Sequence, residues 1–144
     1  MKYSNLTPFI LGLTFIGCNA ANENLQLQEQ VIAVHDSIMP KMGTFVRDNL
    51  KIDLLLNKMD SVKRADPSVD TAFEKEKLRS LQSSLKEANE TMTDWMHNFD
   101  PAQDGKGTEE IESYLQSELQ KIRELKNTFS EVEKESGQVL EKYK

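Results

Sequence analysis

Between Glu23 and Lys63 the chain repeats Val31, His35, Ile38, Met42, Phe45, Asn49, Ile52, Leu56 and Met59, in steps that alternate between four and three. That is the a/d pattern of a helix with one buried seam, and only His35 and Asn49 are polar within it. Ile32, Met39, Val46, Leu55 and Val62 widen the seam on one flank, as a bundle helix requires. Leu78, Leu81, Leu85, Ala88, Met92, Trp95 and Phe99 form a second seam. A third runs from Ile111 through Leu115, Glu118, Ile122, Leu125, Phe129, Val132, Ser136 and Val139 to Tyr143. The pattern predicts three amphipathic helices of about 40, 29 and 35 residues, joined by short loops.

The breaks carry their own signals. Pro40 removes a helical hydrogen bond and crowds the preceding turn, which predicts a kink or a short break, and four helices if the first one divides. Asp66-Pro67-Ser68 ends the first helix and Asp100-Pro101 the second. Thr71 with Glu74 reads as a capping box, and Thr108 as the N-cap of the third helix, with Glu109 and Glu110 at its positive end. Gln103 to Gly107 reads as the most flexible stretch. No segment alternates as a strand does. The expected architecture is all-α, an antiparallel up-down-up bundle over 24–144.

Ahead of the bundle the pattern changes. Lys2 precedes a run of 12 residues, Leu6–Gly17, too short to span a bilayer and followed at once by polar residues. This is the form of a secretory signal peptide over 1–17. Phe15-Ile16-Gly17-Cys18 resembles a bacterial lipobox, in which Cys18 is lipidated and becomes the new N-terminus. Cys18 is the chain's single cysteine. Removing the first 17 of 144 residues leaves 127, with 18–23 as a tether. What the lipobox resemblance implies is membrane attachment, since two or more acyl chains anchor stably. Asn19 is not the aspartate associated with inner-membrane retention, so the expected place is the outer membrane, facing the periplasm.

Composition narrows the chemistry. With 24 acidic and 18 basic side chains, and no dense Lys/Arg block, nucleic acid is not an expected partner. One thiol excludes an internal disulfide. Asp100 to Gly105 imitates the start of a calcium loop, but Ala102 and Ile111 stand where ligands are needed. No phosphate loop, nucleophile elbow or His-Glu-x-x-His is present, and the reading is that the chain is not an enzyme.

Two constellations remain. A first turn centred near 67 or 68 places residues summing to about 135 level on helices one and two, and a second near 103 gives about 207 for helices two and three. On that register Asn49 and Glu118 approach each other as a buried polar pair that fixes alignment. His35, Met39, Met42, Met92 and Met96 gather in one layer with Trp95, while His97 faces outward. Thioether and imidazole suit Cu(I), so soft-metal binding is the alternative to simple packing by flexible methionines. No other cofactor is expected.

His35-Asp36-x-x-Met39-Pro40-Lys41-Met42 and Ala88-Asn89-Glu90-x-Met92-x-Asp94-Trp95-Met96-x-x-Phe99 resemble a group of small bacterial lipoproteins of unknown function, often labelled "viral A-type inclusion protein". The resemblance covers most of the mature chain and implies a helical lipoprotein without supplying an activity. The Leu-Thr-x-x-Gln motif of periplasmic helical chaperones is absent. The leading expectation is a helical interaction or scaffold module that binds an envelope protein, with apolar overhangs near Val31 or Val139 as the docking surface. A Cu(I)-binding protein and a chaperone-like cradle are the rivals.

Overall fold

The computed structural model describes the backbone of residues 17–143 and the side chains of 21–143. Residues 1–16 of the expected signal peptide, with Phe15 and Ile16 of the expected lipobox, lie outside the described residues, as does the Cys18 side chain. Three helices, α1 (Gly17–Ala65), α2 (Thr71–Asn98) and α3 (Thr108–Leu140), are followed by a 3₁₀ turn over Glu141–Tyr143. Each helix packs on the other two, and the described residues contain no strand. The up-down-up, all-α bundle is therefore as expected.

The seams meet along one continuous core. Val31, Ile38, Phe45 and Ile52 from α1, Leu78, Leu81, Leu85 and Met92 from α2, and Ile122 and Phe129 from α3 are fully buried. At its centre Phe45 stacks on Phe129, with ring centroids 5.0 Å apart. Stacked aromatic pairs add about 1 kcal/mol to what their buried area supplies.

α1 is one helix of 49 residues, about 70 Å long, and Pro40 does not divide it. Proline takes away the donor that the Asp36 carbonyl would receive. Pro40 is exposed, so water can replace that bond, and the fully buried neighbours Ile38 and Phe45 hold the helix on both sides. The helix also runs back through 18–23, the stretch expected as a tether.

Both expected caps are corrected. Asp70, not Thr71, caps α2, its Oδ1 accepting from the amides of Ala72 and Phe73 at 3.1 Å each. Glu74 is taken instead by the chain end, where Lys142 and the Tyr143 hydroxyl donate to its carboxylate. Gly107 precedes α3 without a side-chain cap, and the Thr108 carbonyl accepts from Asn24 Nδ2 at 3.0 Å.

Near their turn the register between α1 and α2 is the expected one, for Lys75 meets Asp60 at 2.9 Å and Gln82 meets Asp53 at 2.7 Å; farther along, His35 meets Trp95 and Asn89 meets Met42, four or five residues off it. Between α2 and α3 it is not. Trp95 meets Glu118 and Phe99 stacks on Tyr114, about six residues, or roughly 9 Å, from the alignment that a tight turn at 103 would give. The cause is the 99–107 loop, which continues past the end of α2 before α3 begins. This loop is not an open linker. Gln103 is buried in the left-handed region (φ 54°), and Asp100 Oδ1 accepts from the Ala102 and Gln103 amides. It covers the overhanging start of α1, where Gln28 Nε2 donates to the Pro101 carbonyl at 3.3 Å. Val31 and Val139 are consequently core residues, 0% and 3% exposed, and provide no docking surface.

Candidate functional site

Seams that face inward at the loop end of the bundle bring four rings into sequence from α1 across α2 to α3. His35 lies 5.8 Å from Trp95, Trp95 stacks on Phe99 at 5.0 Å, and Phe99 stacks on Tyr114 at 6.3 Å. Lys106 from the loop sits 4.4 Å over the Tyr114 ring, and the Asp100 amide donates to the Tyr114 hydroxyl. The Gln103 amide, more than any other group, lowers the Asp100 carboxyl, with help from Ala102 and Lys106.

Glu118 is the buried charge of this region. Trp95 Nε1 donates to its Oε2 at 2.8 Å, and Lys121 Nζ reaches Oε1 at 2.7 Å from an exposed position one turn on. The hydrogen bond to Glu118, followed by its charge, raises the Lys121 amine above its ordinary value. A carboxylate with both oxygens bonded can stay charged inside a bundle.

Glu118 therefore does not pair with Asn49. With α3 displaced, Asn49 stands level with the stretch of α3 in which Phe129 meets Phe45 and Ser136 meets Asp48. It borders a shallow groove with Gln82 and Lys86, and its Oδ1 is buried without a hydrogen-bond partner among the described residues.

The five Met/His positions take different environments. Met92 is fully buried, Met42 is half-buried against the core, and Met39 is 37% exposed on the outside of α1. Met96 and His35 line one groove of about 350 Å³ with Ile32, Trp95 and Phe99, and the His35 Nδ1 is 2.9 Å from Asp36 Oδ1. The layer is thus split between core, groove and surface. Among the described residues no three His, Cys, Asp or Glu side chains cluster as a metal would need. On the other side of Trp95 an open groove of about 720 Å³ runs between α2 and α3, past Tyr114, Glu118 and Lys121.

No protein family, curated protein or solved structure matches this chain. The molecule's own surface has to supply the functional reading.

Its most unusual feature lies on α1. Leu25, Ile32, Met39 and Val46 recur every seven residues, Leu50 and Leu54 continue the line, and all six are between 37% and 61% exposed. At 100° per residue they occupy an arc of about 80° on one flank of α1, beside the core seam. Ile32, Met39 and Val46 lie on the flank of the seam as their spacing predicts, but they are exposed there and do not widen the core. Leu25, Leu50 and Leu54 extend the same stripe beyond the residues that the core periodicity picks out. The available signal was the second seven-residue repeat, one position after the core repeat. No helix among the described residues is long and apolar enough to cross a membrane.

Proposed function

We propose that this chain is a non-enzymatic cell-envelope lipoprotein, anchored through Cys18 at the outer membrane facing the periplasm, whose helical bundle is an interaction or scaffold module. The uncovered apolar stripe of α1 carries the interaction part of this reading. Monomeric surfaces rarely leave several hundred Å² of apolar side chain in one line unless something covers it. The lipobox resemblance carries the anchor, and the missing catalytic motifs carry the rest.

The test is made in cells. An alkyne fatty acid should label the full chain and lose that label in Cys18→Ser, which should also leave the membrane fraction. A photoreactive side chain at Leu50 should give discrete protein crosslinks, while one at Lys134 on the exposed face of α3 should give none. An unlabelled, soluble chain without Leu50 crosslinks would sink the proposal.

A further inference from the structure

We infer that the α1 stripe is the contact surface for a second copy of this chain, whose α1 packs on it antiparallel about Met39. This rests on reading the bundle as an interaction module, and adds the identity of the partner.

Three observations select that occupant. The first is the seven-residue spacing of Leu25, Ile32, Met39 and Val46, the repeat by which one helix follows another in a coiled coil. The second is charge. From Gly17 to Met39, α1 carries Glu23, Glu29 and Asp36 and no lysine or arginine. From Lys41 to Ala65 it carries six basic and three acidic side chains. The helix is thus −3 in one half and +3 in the other, so an antiparallel copy places unlike charges together. A parallel copy would set Glu29 against Glu29.

The third is internal symmetry. A two-fold axis beside Met39 puts Leu25 level with Leu54 of the copy, Ile32 with Val46, and Met39 with itself. The same alignment puts Glu29 level with Lys51 and leaves Asp36 about one turn from Arg47, on the flank where antiparallel helices exchange ion pairs. Gly43, exposed on this face with only the Arg47 guanidinium near its missing Cβ, allows close approach at the axis. The six exposed side chains offer roughly 500 Å² per copy, about 1,000 Å² for the pair before flanking residues are counted, which reaches the floor for a specific interface.

The test uses the full chain purified in mild detergent, with a short bis-maleimide and the parent chain as the control for Cys18. Met39→Cys should crosslink to twice the monomer mass. Leu25→Cys and Leu54→Cys should crosslink to each other when mixed, and neither to itself. Glu29→Lys should weaken dimerisation about tenfold, since symmetry counts each pair twice, and Lys51→Glu in the same chain should restore it. Unchanged helical circular dichroism checks that these exposed changes leave the bundle folded. Self-crosslinking at 25 and at 54 would overturn the antiparallel arrangement. A monomeric mass by light scattering would overturn the dimer. A monomer whose Leu50 position still crosslinks a different envelope protein would overturn the dimer while sparing the interaction module, and loss of both would end both.

Discussion

Replacing Glu118 by leucine tests whether the Trp95–Glu118 bond joins α2 to α3 or merely occupies space. Both residues are buried, at 9% and 5% exposure, and the bond is 2.8 Å. Glu118→Leu leaves the indole N–H in the core without an acceptor, a loss of about 1–3 kcal/mol, reduced somewhat because a buried charge disappears too. Trp95→Phe strands Oε2 by the same logic, although Lys121 still holds Oε1. The double variant strands neither group. The two changes should therefore be non-additive, with a coupling energy of about 1.5–3 kcal/mol, the range for a hydrogen bond to a charged group. Four proteins unfolded in urea and followed by circular dichroism supply the cycle. Trp95, the only tryptophan, gives an independent fluorescence transition wherever it is retained. Additivity within about 0.5 kcal/mol would refute the reasoning and reduce the contact to packing. Lys121→Met, removing a half-exposed partner, should cost under about 1 kcal/mol.

The Glu74 clamp predicts an acid-sensitive chain end. Lys142 first, then Tyr143, holds the Glu74 carboxyl below its ordinary 4.5, so the folded state binds the proton less readily than the unfolded chain. Its stabilisation is complete above that value and lost as pH falls below it, and Tyr143→Phe should destabilise the bundle at pH 7 but less at pH 3. Asp70→Ala should cost about 1 kcal/mol in thermal unfolding and Thr71→Ala much less, because the cap oxygen belongs to Asp70. Pro40→Ala should stabilise by about 1–3 kcal/mol, as the exposed helix regains an amide donor; a loss of stability would mean that Pro40 sets a bend the core depends on.

The parts of the fold that follow from periodicity were readable. The buried seams are the expected residues almost throughout, because a helix's inward face is set by local spacing. The α1–α2 register was also readable near the turn, since Asp66-Pro67 permits only a short connection. The α2–α3 register was not. The 99–107 loop folds back on itself through Asp100 and Gln103, and no local rule reports how far past α2 it climbs. That single shift separated Asn49 from Glu118 and gave Glu118 to Trp95. Thr71 misled for a related reason: a capping box needs a free glutamate, and Glu74 is held by residues nearly 70 positions away.

The antiparallel pair also decides how an anchored dimer would sit, which supplies a last prediction. Cys18 and Met39 are 21 residues apart on one helix, about 32 Å, so the two Cys18 residues of a pair would stand roughly 65 Å apart at opposite ends. Both can enter one leaflet only if the long axis lies along the membrane. A single copy anchored through Cys18 would be free to stand upright instead. All three helices share the bundle axis, so polarised infrared spectra of the acylated chain on a supported bilayer report its tilt directly. The dimer requires axes close to the membrane plane, shifting toward the normal in a Glu29→Lys variant, which pairs about tenfold more weakly. Upright helices in the unmodified chain would be incompatible with two anchors in one leaflet and an α1 seam between them.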